Sequence, residues 1–131
     1  MKKQGVLNHR LADVIAMMGH GDLLVVADAG LPIPAGVERI DLAVASGLPG
    51  MLEVTRAVAT ELQVERLTYA SELEEANAQF ADEIRAIFPN AASSHLPHTE
   101  FKQLTARAKA VVRTGECTPY ANVILISGVI F

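Results

Sequence analysis

Four short stretches hold the side chains best suited to moving protons or binding hydroxyl groups. In Gly19-His20-Gly21-Asp22 an imidazole stands between two glycines and close to a carboxylate. The spacing predicts a helix ending just before it, and the negative end of a helix dipole favours imidazolium. A histidine partly protonated near neutral pH works as a general acid. The structural alternative is a polar C-cap that bonds the last helix carbonyls. In Ala27-Asp28-Ala29-Gly30, Asp28 either accepts hydrogen bonds from ligand hydroxyls or closes an Asx-turn ahead of Leu31-Pro32. His98 precedes Thr99-Glu100-Phe101 at the start of another predicted helix, where the positive dipole end disfavours protonation. A neutral imidazole both donates and accepts, which suits a polyhydroxy ligand, and the alternative is a surface capping histidine. Thr118-Pro119-Tyr120-Ala121-Asn122 presents a hydroxyl and an amide on a proline-constrained backbone, or else is an ordinary connection into a strand.

Other chemistry has less support. His9 and His95 lack a partner pattern and are expected in solvent. The four histidines show no metal-ligand spacing, so no metal is expected. Cys117 is the only cysteine, which excludes an internal disulfide; with no cation or base beside it, it reads as a small packing residue. Glu72-Leu73-Glu74-Glu75 reads as a solvated face. Nothing matches a Gly-x-Gly-x-x-Gly turn, a Gly-Lys-Ser/Thr phosphate loop or a Gly-x-Ser-x-Gly elbow, so no cofactor is expected.

The elements that must position these residues follow from apolar periodicity. Asn8 is a candidate N-cap, with Leu11, Val14, Ile15 and Met18 on one helical face and Gly19 at the C′ position. Leu23–Ala27 is a continuous apolar run, the pattern of a strand buried on both faces. A second strand is expected near Arg39–Val44. A second helix carries Leu52, Thr55, Val58, Ala59 and Leu62 on one face. Val64–Ala70 reads as a third strand. Beyond it, Ser71 and Glu74 fit a capping box while Leu67, Tyr69, Ser71 and Leu73 fit continued strand alternation. Asn77 caps a helix with Phe80, Ile84, Ile87 and Phe88 inward, stopped by Pro89-Asn90. Ala91–Pro97 is a loop or short strand, Thr99–Ala108 a short helix, Ala110–Arg113 a strand, and Val123–Phe131 a last strand interrupted at Ser127-Gly128.

Strands alternating with helices imply a single α/β domain, a three-layer α/β/α sandwich with a mainly parallel central sheet. In such sheets ligands sit beyond the carboxyl ends of the strands, which points to Asp28 and to the segment after Arg113. The length of 131 residues allows one domain and a sizeable core. Half the residues are apolar and 20% charged, which excludes a disordered chain. The longest apolar runs are far below the roughly 18 residues needed to cross a bilayer. A mean hydropathy of +0.27 is therefore high, and a subunit interface would absorb the excess apolar surface. A net charge of −4 without a Lys/Arg cluster argues against nucleic acid or an anionic membrane as partner. Asn8, His9, Arg10 and Asp13 interrupt any signal-peptide core after Met1-Lys2-Lys3, so a cytoplasmic location is expected.

Taken in order, the segments resemble the ribose pyranase family of RbsD-type sugar-ring isomerases. The resemblance is carried by Gly19-His20 with Asp22, by Ala27-Asp28-Ala29-Gly30-Leu31-Pro32 with Pro34, and by Ile40-Asp41-Leu42 with Gly47-Leu48-Pro49. It continues in His98 with Glu100-Phe101-Lys102, in Ala108–Val111, and in Arg113–Glu116 with Thr118–Asn122. It spans the chain and is weakest around Val54–Ala91. Related fucose mutarotases tend to carry His-Phe-Pro after Asp-Ala; Gly30-Leu31-Pro32 here favours the ribose branch. The resemblance implies interconversion of β-D-ribopyranose and β-D-ribofuranose, which delivers the furanose to a ribokinase. It implies His20 as proton donor and sugar contacts from Asp28, His98, Tyr120, Ala121 and Asn122. It also implies a ring-shaped homodecamer with sites near subunit interfaces. A fucose-type mutarotase and a non-catalytic ribose-binding partner of a transporter or kinase are the alternatives.

Overall fold

Local signals set the first helix. In the computed structural model, which describes residues 1–131, Asn8 caps α1 (His9–Met17) by accepting from the Leu11 N–H at 2.9 Å. Leu11, Val14 and Ile15 are its buried face. The helix ends without a left-handed residue at Gly19, because the Asp22 carboxylate takes the Gly19 N–H at 2.9 Å; the positive φ falls instead on Gly21, at 82°. The chain then runs β1 (Leu23–Ala27), β2 (Glu38–Asp41), α2 (Met51–Ala59), β3 (Val64–Ala70), α3 (Ser71–Ala76), α4 (Ala78–Ile87) and β4 (Ala92–Leu96). It finishes with α5 (His98–Leu104), a 3₁₀ turn at Thr105–Arg107, β5 (Ala110–Arg113) and β6 (Val123–Ser127).

Several boundaries differ from expectation: β6 ends at Ser127 with no strand on to Phe131, and α5 starts at His98 and gives way to the 3₁₀ turn after Leu104. Two more differ for visible reasons. β2 stops at Asp41 because its side chain accepts the Ala43 N–H in an Asx-turn. No capping box forms at Ser71: β3 passes directly into α3 with Ser71 as its first residue, and Glu74 turns to the Tyr69 hydroxyl and Arg85. Asn77 caps α4 through the Phe80 N–H, as its position predicts.

The six strands form one sheet in the order β2-β5-β1-β6-β3-β4. Five strands are mutually parallel, and β6 enters between β1 and β3 antiparallel to both. The uninterrupted apolar run of β1 has a simple cause: Leu24 and Val26 feed one core cluster while Val25 and Ala27 feed the other. The larger cluster lies under α1 to α4, and the smaller one under α5 and the 3₁₀ turn. The molecule is thus a three-layer α/β/α sandwich with unequal outer layers. No helix is long and apolar enough to cross a membrane.

The antiparallel strand decides which loops meet. Val123 pairs with Val26, so the head of β6 lies against the tail of β1. At the other end Leu23 pairs with Ile126, and the Gly21 N–H donates to the Ser127 carbonyl at 2.8 Å. The loops therefore gather at two opposite edges of the sheet. The first gathers the carboxyl ends of the parallel strands with the start of β6. The second gathers their amino ends with the end of β6.

Candidate active site

Asp28 follows β1 at the first edge and Asn122 precedes β6. They interlock: the Asp28 N–H donates to Asn122 Oδ1 and Asn122 Nδ2 donates to Asp28 Oδ2, each at 2.8 Å. Asp28 Oδ1 accepts the Gly30 N–H at 2.9 Å, so the Asx-turn also forms. A carboxylate has lone pairs for further donors after these two, so turn and ligand contact are compatible. The neighbouring backbone is clamped. Thr114 donates its hydroxyl to the Ala27 carbonyl at 2.7 Å, and the Ala29 N–H donates to the Glu116 carbonyl at 2.8 Å. Arg113 ties the Ala29 carbonyl to the Asp41 carboxylate. Ala121 and Asn122 are fully buried.

Tyr120 is half-buried and has φ of 62°, the only positive value outside glycine. A bulky residue in that region stores about 1–3 kcal/mol of strain and persists only where its surroundings hold it. Here the Ala121 N–H donates to the Thr118 carbonyl and the Asn122 N–H to the Tyr120 carbonyl. The Tyr120 ring meets the His98 ring edge-on at 5.1 Å between centroids. The segment is therefore a strained, braced turn and not an ordinary connection.

His98 opens α5 at the same edge, just beyond β4. It caps nothing with its ring, which stacks on Phe101 at 6.2 Å between centroids and leaves a buried Nδ1 without a protein partner. Its backbone N–H donates instead to the Glu72 carboxylate, at 2.9 Å to the nearer oxygen. The Glu72 carboxyl is held below the usual carboxylate range chiefly by its own backbone N–H, which with the smaller help of the His98 N–H and the Ser71 hydroxyl outweighs the opposing effect of burial. The acidic stretch is thus more than a solvated face: Glu72 anchors His98, and Glu74 joins Tyr69 and Arg85.

Glu116 supports the edge from below. Burial works to raise its pKa, but the Met51, Cys117 and Thr118 N–H groups and the Thr118 hydroxyl outweigh burial and hold it low. It ties α2 to the Thr118–Asn122 turn. Cys117 is exposed in this turn, with Sγ 3.2 Å from the Ser46 hydroxyl, and does not pack inside. His9 and His95 lie in solvent.

His20 stands at the opposite edge. It precedes β1, is exposed, and makes no cap contact with α1; Nε2 lies 2.9 Å from Glu65 Oε2 at the start of β3. β1 alone separates the two edges by roughly 13 Å at about 3.3 Å per residue. Within one copy the structure therefore brings Asp28, His98, Tyr120, Ala121 and Asn122 together and leaves His20 apart. The largest cavity, about 460 Å³ beside Arg56, Ala59, Thr60, Glu83, Ala86 and Ile87, touches none of them. It is a surface trough between α2 and α4 with no acid–base cluster. A smaller cavity, about 320 Å³, lies at the first edge beside Ala29, Val44, Ser46, Arg113, Gly115 and Cys117.

A model of the RbsD / FucU transport protein family matches residues 1–130. The chain belongs to this family. A Bacillus licheniformis relative of the RbsD / FucU family, named D-ribose pyranase, is 52% identical over 131 residues and covers all of both chains. The structure of Bacillus subtilis RbsD complexed with D-ribose superimposes with a TM-score of 0.96 at 47% identity, again over all of both chains. A fucose mutarotase from Streptococcus pneumoniae shares the fold at a TM-score of 0.83 and 22% identity, covering 99% of this chain and all of its own. Within this RbsD / FucU fold, Glu72, Glu65 and Arg113 are the site-edge residues that sequence reasoning missed. Their partners lie 26, 45 and 72 positions away, and no local spacing signals such contacts.

Proposed function

We propose that the chain is a D-ribose pyranase that interconverts β-D-ribopyranose and β-D-ribofuranose. Full-length similarity to D-ribose pyranases and to a ribose-bound RbsD structure supports this substrate. The braced polar edge supports the binding role: Asp28 and Asn122 offer a carboxylate and an amide, His98 and Tyr120 a ring nitrogen and a hydroxyl, and Ala121 its backbone.

Ring interchange needs only proton transfer and orientation. His20, protonated, gives its proton to the ring oxygen while a base takes the proton of the anomeric hydroxyl. The bond from C1 to the ring oxygen breaks and an aldehyde forms. The hydroxyl on C4 then attacks C1, loses its proton to the imidazole, and the base returns a proton to the carbonyl oxygen. Asp28, His98 and a bound water are the candidate bases. Positioned acid–base groups supply about 10²–10⁴-fold, roughly 3–5 kcal/mol, which suffices for a reaction that already runs in water.

One copy does not bring His20 to the sugar-binding edge, so a site using both is built from two copies. The His20 edge also carries the exposed apolar Met17 and Val129–Phe131, which suits contact with a second chain. A homodecamer, a cytoplasmic location and supply of the furanose to a ribokinase complete the reading. The test is saturation-transfer NMR between pyranose and furanose signals with His20→Ala. Ribose binding is expected to persist while catalysed exchange is lost; undiminished exchange in the variant would overturn the acid assignment. Tight ribose binding without exchange in the unaltered protein would instead leave a binding module, and faster exchange with fucose than with ribose a fucose mutarotase.

A further inference from the structure

We propose that Glu65 is a positioning residue that fixes the His20 ring with Nε2 engaged and Nδ1 as the proton-delivering atom. This rests on His20 being the acid. The first observation is the contact itself, Nε2 to Oε2 at 2.9 Å. An exposed His–Glu pair is by itself worth little, so the backbone around Glu65 matters more. Val64 pairs with Ser127 and Arg66 with Ile126, which sets Val64 and Arg66, with Glu65 between them, against two consecutive residues of β6. Glu65 is the extra residue of a bulge. Val64, Leu67 and Tyr69 all point into the larger core cluster, although strict alternation back from Tyr69 and Leu67 would put residue 65 there. The bulge therefore turns a carboxylate that would face the core out toward the edge where His20 stands. Bulges commonly re-aim a side chain in this way beside functional sites.

Two further contacts hold the arrangement. The Gly128 N–H donates to the Gln63 carbonyl at 2.9 Å, and a Cβ on Gly128 would lie 2.9 Å from the Glu65 Cβ. Only glycine lets the chain cross so closely over Glu65. On the His20 side, Asp22 Oδ2 holds the Gly19 N–H and the Ser127 carbonyl holds the Gly21 N–H, so the residues before and after His20 are both tied down. The Arg66 guanidinium, 3.7 Å from Glu65 Oε1, faces the other carboxylate oxygen and leaves Oε2 for the imidazole.

The chemistry follows from the bonded nitrogen. A carboxylate only accepts, so the neutral ring donates Nε2–H to Glu65 and carries its lone pair on Nδ1. In the imidazolium both nitrogens bear protons. The proton on Nδ1 passes to the sugar's ring oxygen, Nε2–H stays on Glu65, and Nδ1 later recovers a proton from the attacking hydroxyl. Glu65 neither gains nor loses a proton.

The test uses the assembled protein labelled with ¹⁵N-histidine, and Glu65→Gln and Glu65→Ala beside it. Long-range ¹H–¹⁵N spectra of the unaltered protein should show the neutral His20 ring protonated at Nε2; a ring protonated at Nδ1 overturns the proposal without any variant. Glu65→Ala should lower exchange at saturating D-ribose by at least about tenfold, with ribose affinity within about twofold and the single-tautomer signature lost. Glu65→Gln, which keeps an acceptor oxygen, should restore much of the rate and the Nε2–H form. Glu65→Ala with full exchange overturns the proposal and leaves the acid assignment standing if His20→Ala is inactive. Full exchange in His20→Ala overturns both.

Discussion

The two edges of the sheet are built on opposite plans. At the carboxyl edge Asp28 and Asn122 are locked by reciprocal hydrogen bonds, His98 is anchored by Glu72, and Tyr120 is held in a strained conformation by its own turn. At the amino edge His20 is exposed and meets one carboxylate, next to an exposed apolar tail. Rigidity at the first edge suits recognition of several hydroxyls in fixed directions. Exposure at the second suits a group that works only when another surface receives it. The contrast sets the residues proposed for binding and the residue proposed for proton transfer at opposite ends of the sheet, with no contact between them within one copy.

Substitutions should therefore affect stability at one edge and chemistry at the other. The largest stability effect is expected for Asn122→Ala, which removes a fully buried side chain and strips two hydrogen bonds from the half-buried Asp28. Unfolding in urea should show a loss of about 2–3 kcal/mol, with weakened ribose binding. His20→Ala in the same experiment should stay within about 0.5 kcal/mol of the unaltered protein. Equal losses at the two positions would erase the contrast. Glu116→Ala should cost less, roughly 1–2 kcal/mol at pH 7. Its carboxyl is held low in the folded state, so its contribution is present above the usual carboxylate pKa and disappears as pH falls through the depressed folded value. Stability measured against pH should thus fall less steeply on the acid side in Glu116→Ala. An unchanged acid limb would show that the hydrogen bonds of Glu116 do not stabilise the carboxyl edge.

The residues differ in how legible they were before the fold was known. β1 and β3 match their expected limits of Leu23–Ala27 and Val64–Ala70, and β1 was the plainer of the two because a strand buried on both faces is an uninterrupted apolar run, whereas β3 carries Glu65, Arg66 and Thr68 among its apolar residues. The caps at Asn8 and Asn77 were legible because a cap is a contact three residues long. The rule that ligands lie beyond strand carboxyl ends led correctly to Asp28 as an edge residue. The antiparallel insertion of β6 was not legible, since its pairing with β1 spans about a hundred residues and its side-chain pattern resembles that of any buried strand. That insertion decides that Asn122 meets Asp28 and that His20 does not. Glu72 and Glu65 were missed for the same reason, as their functions lie in distant partners and, for Glu65, in a bulge that breaks the local alternation.

Subunit complementation tests most directly whether one copy supplies the acid and another the binding edge. His98→Ala is a suitable binding-edge variant, because the His98 ring makes no side-chain hydrogen bond within a copy and Nδ1 is unpartnered. His20→Ala and His98→Ala chains, each inactive alone, would be dissociated, mixed in equal amounts and reassembled. About a quarter of the unaltered exchange rate is expected, since a site is intact when its His20 and its His98 come from different variants on adjoining copies. A mixture as inactive as either variant by itself would contradict a shared site.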